Sequence, residues 1–84
     1  MHIINPEKVL FTQLGEDGVL FHVETNEYFS TNETLTKIVL GLQNQMTKEQ
    51  IIENLLLEFD VDKTACQKSV EIALKTLQEK GFID

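Results

Sequence analysis

The sequence predicts an α+β fold in which a three-stranded antiparallel sheet is followed by three helices. The hydrophobic pattern supports this fold because its period changes once, near Asn32, from the alternation of strands to the spacing of helices. With one proline and four glycines the chain carries few breakers, so most of it should be regular structure. Its 84 residues contain no repeat and no linker-like segment, which predicts a single domain over residues 1–84.

Residues 9–30 have the pattern of a three-stranded meander. A β-prone run over 9–14 is followed by a glycine-flanked loop at 15–18, and further strands are expected over 19–24 and 27–30. Alternation in the second strand divides its side chains between two faces, with Val19, Phe21 and Val23 on one and Leu20, His22 and Glu24 on the other. A sheet this small needs helices to cover one of its faces.

Each of the three helices begins at a residue suited to capping. Asn32, or Thr31 beside it, is a suitable N-cap for the first helix. Thr47 and Gln50 have the form of a capping box at the start of the second helix. Asp62 is placed to cap the third helix.

Each helix also carries an apolar stripe that predicts its core-facing side. The stripes recur at spacings of three and four residues: Leu35, Ile38, Val39 and Leu42; Ile51, Ile52, Leu55, Leu56 and Phe59; and Cys66, Val70, Ala73, Leu74 and Leu77. Leu57 falls off the second stripe and is expected at its edge. The third helix is predicted over 63–80, with Gly81 as its stop and Phe82 and Ile83 folding back as an apolar tail.

The charge pattern argues against nucleic acid as a ligand. Fourteen acidic residues stand against seven lysines and no arginine, and the net charge of −7 opposes a phosphate backbone. Four lysines, at 63, 68, 75 and 80, lie on the third helix, but Glu71 and Glu79 share the face of Lys68 and Lys75 and make it a mixed surface. A winged-helix transcription regulator, which three helices beside a small sheet could form, is therefore kept only as an alternative.

No combination of residues predicts catalysis or a metal site. His2 lies near the N-terminus, His22 is expected at a strand surface, and Cys66 falls on the core stripe of the third helix. These residues form neither a nucleophile–base pair nor a set of zinc ligands, so we expect no enzyme activity, no metal and no cofactor. The chain also lacks a signal-peptide pattern and a membrane-length apolar run, which predicts a cytoplasmic protein without membrane contact.

Recognition through a strand edge is the remaining option. The predicted third strand contains no lysine or proline to protect its edge, so an extended peptide could add to it. Beside the core stripe of the third helix runs a row of mostly small residues: Ala65, Ser69, Ile72 and Thr76. This row could floor a groove for a peptide side chain. It could equally be a crowded contact with Ile72 packed on the sheet, and the residues alone leave both interpretations open.

Several segments in a characteristic order carry a resemblance to a known family. They are Gly-Val-Leu-Phe at 18–21, Tyr-Phe-Ser-Thr-Asn at 28–32, the apolar stripe over 35–42, Met-Thr-Lys-Glu-Gln-Ile at 46–51, Phe-Asp-Val-Asp at 59–62, and the closing Val70, Leu74, Leu77, Gly81, Phe82 and Ile83. From Gly18 to Asp84 the chain thereby resembles the PqqD-like family, whose domain is also called the RiPP precursor peptide recognition element. One departure is Thr31, where the family commonly has leucine before the asparagine.

The resemblance implies a winged-helix-like fold without catalysis. In the family, the leader of a ribosomally made peptide precursor pairs as a strand with the third strand, in a cleft against the third helix. The domain presents the precursor to a partner enzyme, which is a radical SAM enzyme in the quinone-cofactor pathway and a leader peptidase in lasso-peptide pathways; a cyclase is a further candidate. The resemblance places peptide-binding positions at Glu27, Tyr28, Phe29 and Ser30, and our own inference adds Ser69, Ile72, Ala73 and Thr76 on the third helix.

A small dimerisation module is the remaining alternative. In that case the third strand would pair with the same strand of a second copy. Such a homodimer would compete with a leader peptide, since both would use one edge.

Overall fold

Three strands followed by three helices make up the chain in a computed structural model, which describes residues 3–84. The elements are β1 (Val9–Leu14), β2 (Asp17–His22), β3 (Glu27–Thr31), α1 (Glu33–Gln43), α2 (Lys48–Glu58) and α3 (Lys63–Glu79). The strands form one antiparallel sheet in the order β1-β2-β3, so β1 and β3 are its edges. The predicted α+β fold is thereby confirmed, while His2 lies outside the described residues.

The β1–β2 hairpin is tighter than predicted. Leu14 pairs with Asp17, so the connection contains only Gly15 and Glu16 rather than the four residues 15–18. Gly15 has a φ of 66°, which glycine adopts without steric cost and which two-residue hairpin turns require. The other two residues of the predicted loop continue the ladder instead, because pairing satisfies their backbone groups.

The helices cover the less apolar face of β2. Leu20 is fully buried on that face and His22 is only 8% exposed, whereas Phe21 on the opposite face is half-buried. The prediction of His22 at the surface is therefore wrong. Its ring centroid lies 6.0 Å from that of Phe82, and its Nδ1 accepts a hydrogen bond from the backbone N–H of Glu24. Alternation shows which residues share a face, but only packing decides which face the helices cover.

The predicted N-caps are present, and one ambiguity is resolved. Asn32 caps α1, since its Oδ1 accepts a hydrogen bond from the backbone N–H of Leu35 at 2.9 Å. Thr31, the alternative cap, ends β3 instead, and its buried hydroxyl lies 2.7 Å from that of Thr36. Asp62 caps α3 in the same manner as Asn32 caps α1.

Helix α2 begins with the predicted capping box. The hydroxyl of Thr47 accepts from the backbone N–H of Gln50, and the Gln50 side chain accepts from the backbone N–H of Thr47. Leu57, off the apolar stripe, is 85% exposed. An ion pair of 2.6 Å joins Glu58 to Lys37 on α1, and the hydrogen bond to Glu58 raises the pKa of Lys37.

Helix α3 ends in a turn that returns the chain to the core. The helix stops at Glu79, one residue before the predicted end, and Gly81 has a φ of 82°. The backbone N–H of Phe82 then donates to the carbonyl of Leu77 at 2.9 Å, and that of Gly81 donates to Gln78, which together form a Schellman motif. The predicted apolar tail is confirmed, because Phe82 is only 2% exposed.

The core is one continuous cluster between the sheet and the helices. Its buried apolar members are Val9, Leu20, Ile38, Val39, Leu42, Ile51, Ile52, Leu55, Cys66, Val70, Leu74, Leu77, Phe82 and Ile83. Leu35, Phe59 and Ala73 also belong to the predicted stripes, but they are only partly buried at the margin of this cluster. Their partial exposure bears on the surface described next.

Candidate functional site

Strand β3 is an edge strand with an unpaired outer side. Within residues 3–84, β2 is its one neighbour in the sheet. None of its five residues is lysine or proline, the residues that natural edge strands use against unwanted pairing. The edge is therefore open to the addition of another extended segment.

The hydrogen bonds of the sheet show which β3 residues present their backbone to this edge. The backbone N–H of Val23 donates to the carbonyl of Lys8, so the polar groups of Val23 point towards β1. Because backbone groups alternate in direction along a strand, those of Leu20 point towards β3, where Leu20 pairs with Phe29. The residues on either side of Phe29 must then point away from β2. They are Tyr28 and Ser30.

The β3 side chains alternate between the two faces of the sheet. Tyr28 lies on the outer face, 73% exposed, with its ring centroid 4.7 Å from that of Phe21. Phe29 points to the inner face, 5.9 Å from the ring of Phe82, with the Nζ of Lys80 5.4 Å from its centroid. A strand added at this edge would likewise direct alternate side chains to each face.

A groove lies between α3 and the junction of β3 with α1. It has a volume of about 410 Å³. Its lining residues are Asn32, Thr34, Leu35 and Ile38 on one side and Ser69, Ile72 and Ala73 on the other. Asn32 follows the last residue of β3, so the groove begins where the open edge ends.

Three of the four α3 residues that the sequence singled out line this groove. Ser69 and Ile72 are exposed and Ala73 is half-buried, and all three face α1 across the groove. Thr76 is not among the lining residues; it is half-buried, one turn before Lys80 on the same side of α3. Ile72 is 65% exposed, which rules out the alternative in which it packs on the sheet.

Sequence reasoning missed the opposite wall of the groove. The sequence predicts Leu35 only as a core residue and makes no prediction for Thr34, although both line the groove. Ile38 also touches the groove, but it is a buried core residue as predicted. One feature of the sequence could have indicated that Leu35 lines a groove. Leu35 lies in the first turn of the helix that follows an edge strand, where the core covers an apolar side chain on one side only. Lys80 is exposed as predicted, and its Nζ lies above the ring of Phe29, a proximity that the sequence does not indicate.

The groove is uncharged, although a quarter of the residues in the chain are charged. None of its seven lining residues carries a charge. Such a surface favours neutral or apolar groups and offers no charged side chain to a phosphate. Lys80, which follows the last residue of α3, does not line the groove.

The described residues contain no site with evident chemical reactivity. In residues 3–84 no group of three or more His, Cys, Asp or Glu side chains could hold a metal ion. His22 uses its Nδ1 in a local hydrogen bond, and Cys66 is a buried free thiol. None of the helices that the structure describes is both long and apolar enough to cross a membrane.

Comparison with known proteins gives one family and two similar folds. A family model described as Coenzyme PQQ synthesis protein D (PqqD) matches residues 17–83. A structure described as "TbiB1 in Complex with the TbiA(beta) Leader Peptide" has a TM-score of 0.92 at 22% identity, covering 98% of this chain and 94% of that one. A second, "Lasso peptide synthetase B1 complexed with the leader peptide", has a TM-score of 0.88 at 22% identity, covering 99% and 96%. No curated protein matches the sequence.

The chain is thus a small α+β domain with an open strand edge beside an uncharged groove. The family model spans most of the chain, from residue 17 to residue 83. The chain belongs to the PqqD family.

Proposed function

We propose that this chain binds the leader segment of a ribosomally made precursor peptide as an added strand on β3. In this proposal the chain does no chemistry itself. It holds the leader so that the attached core peptide is presented to a modifying or processing enzyme, such as a radical SAM enzyme, a leader peptidase or a cyclase. Pathways of the quinone-cofactor or lasso-peptide type both fit this role.

The observation that carries the proposal is the combination of an open edge and a groove on the same side of the molecule. Tyr28 and Ser30 offer backbone donors and acceptors to a new strand. The adjacent groove offers uncharged walls to the side chains that such a strand would direct inwards. Family membership supports the same proposal, and both similar structures were solved with leader peptides.

The benefit to a partner enzyme would be a high effective concentration of substrate. A leader held on β3 makes the reaction of the attached core peptide close to intramolecular for an enzyme docked on the same complex. A free leader loses conformational entropy on binding, so an affinity of about 1 μM or somewhat tighter is expected.

Substitution of Ser30 by proline tests the added strand. The outward direction of the Ser30 backbone means that proline removes a donor from the new ladder without breaking the pairing with β2. We expect Ser30→Pro to weaken binding of a synthetic leader peptide, taken from a ribosomally made precursor, by about tenfold or more. Fluorescence anisotropy measures the affinity, and amide shifts of Tyr28 and Ser30 report the site.

The other edge of the sheet provides a matched control. Gln13 is exposed on β1, and the same alternation directs its backbone away from β2, so Gln13→Pro should leave the affinity unchanged. Phe29→Pro is a poorer variant, because the Phe29 backbone pairs with β2. If the leader shifts no amides in β3, or binds both proline variants equally well, the proposal is wrong.

A further inference from the structure

A second hollow, which we call the end pocket, lies beyond the groove. It is formed by the C-terminal part of α2, the loop that follows it and the first turns of α3. Its lining residues are Thr34, Leu55, Phe59, Val61, Ala65, Cys66 and Ser69. Thr34 and Ser69, its two polar members, also line the groove, so the two spaces meet at these side chains.

The end pocket has the size and lining of a site for one apolar side chain. Its volume is about 180 Å³, and a cavity of about 150 Å³ lined by apolar residues is enough to take a benzene ring. Val61 at its rim is 49% exposed and Phe59 is only partly buried, so apolar surface is left open to solvent there. None of the lining residues carries a charge.

Helix α3 sets the distance between the groove and the end pocket. Ile72 lines the groove and Ala65 lines the end pocket, and they are seven positions apart on one helix. At 1.5 Å per residue this separation is about 10 Å. An extended peptide covers that distance in about three residues.

We propose that the bound peptide continues past the end of β3, crosses Thr34 and Ser69, and inserts one apolar side chain into the end pocket. This inference rests on the proposed function, because it concerns the same peptide. The inserted side chain is aliphatic or aromatic, and it lies about three residues from the one that occupies the groove. The hydroxyls of Thr34 and Ser69 are placed to bond the peptide backbone between the two positions.

A substitution that fills the end pocket tests its role. Ala65 is exposed at the pocket, and Ala65→Phe places a ring in the space that the peptide side chain needs. The synthetic leader should bind this variant about tenfold or more weakly. The matched control is Thr64→Phe, because Thr64 is exposed on the same turn but does not line the pocket, and its affinity should be unchanged.

A set of leader peptides with single alanine substitutions identifies the inserted residue. One apolar position should lose about tenfold in affinity for the original chain when replaced by alanine. That substitution should have little further effect on binding to the Ala65→Phe variant, since the pocket is already filled.

Two exposed side chains of the end pocket provide a readout that needs no variant. The methyl groups of Val61 and Ala65 line the pocket and are open to solvent, so their NMR signals report whether the pocket is occupied. The leader should shift both methyl signals, a result that remains decisive if Ala65→Phe fails to fold. The end pocket is not used if the leader shifts the amides of Tyr28 and Ser30 but leaves these methyl signals unchanged, and the proposed function then stands. A leader that shifts no β3 amides overturns both.

Discussion

Thr31 and Thr36 form a buried pair of hydroxyls at the point where β3 passes into α1. Their oxygens are 2.7 Å apart, and the two residues are 3% and 2% exposed. One hydroxyl donates to the other, so the two are hydrogen-bonded in a buried place. Thr31 is the position at which the sequence departs from the leucine common in the family, and Thr36 supplies the partner that makes a polar side chain acceptable there.

Removal of one hydroxyl should lower the free energy of unfolding more than removal of both. Thr31→Val leaves the Thr36 hydroxyl unsatisfied, which should lower the free energy of unfolding by about 1–3 kcal/mol. The double variant Thr31→Val/Thr36→Val should recover most of this loss, since it leaves no unpaired polar group. Urea denaturation measures both, and Thr12→Val on the exposed face of β1 is the control, with an expected change within about 0.5 kcal/mol. Equal stability of Thr31→Val and the original chain would contradict the role of the pair.

At the scale of elements, the site lies where one strand and two helices approach one another. The edge of β3 supplies backbone groups, the first turn of α1 forms one wall of the groove, and the middle of α3 forms the other. The position of α3 depends on its C-terminal turn, because Phe82 after that turn packs against Phe29 of β3. The turn at Gly81 therefore links the end of α3 to the inner face of the site.

A side chain at position 81 should lower the stability only because it disfavours the backbone conformation of the turn. No atom lies within 4 Å of the place where a Cβ would be, but the φ of 82° is unfavourable for other residues. Gly81→Ala should therefore lower the free energy of unfolding by about 1–2 kcal/mol. Gly81→Asn should cost less, since asparagine tolerates this conformation. Thermal unfolding tests the pair, and an alanine variant as stable as the asparagine variant would contradict the argument.

At the scale of the whole molecule, charge distinguishes the remaining alternatives. The net charge of −7 repels both a phosphate backbone and a second copy of the chain. The groove adds no positive charge that would offset this repulsion. A neutral or basic extended peptide meets no such barrier and gains from the surrounding acidity.

We accordingly expect the isolated chain to be a monomer that does not bind duplex DNA. Sedimentation at two protein concentrations should give one species at low salt, where repulsion between copies is strongest. A mobility-shift assay at low salt should show no complex, although electrostatic binding would be strongest there. A DNA complex that dissociates as salt is added would favour the alternative function of a winged-helix transcription regulator. A dimer broken by Ser30→Pro would favour pairing between two β3 edges.

Much of this fold could be predicted from local patterns. The alternation over β1 to β3, the caps at Asn32, Thr47 and Asp62, and the stop at Gly81 are short-range features whose physics involves neighbouring residues only. For the same reason the unprotected β3 edge could be recognised directly, because the absence of lysine and proline is visible in five residues.

Long-range packing decided the remaining features, which the sequence predicts wrongly or does not predict at all. His22 was misplaced because nothing local indicates that the C-terminal tail covers its face of the sheet. The groove and the end pocket exist only because α1 and α3, which are far apart in the sequence, lie close together in the fold. Thr34 lines both spaces from α1, and Ser69 lines both from α3. The sequence by itself determined the elements, their caps and an open strand edge. Only the tertiary structure decided what lies beside that edge, because the position of a helix depends on how the whole core packs.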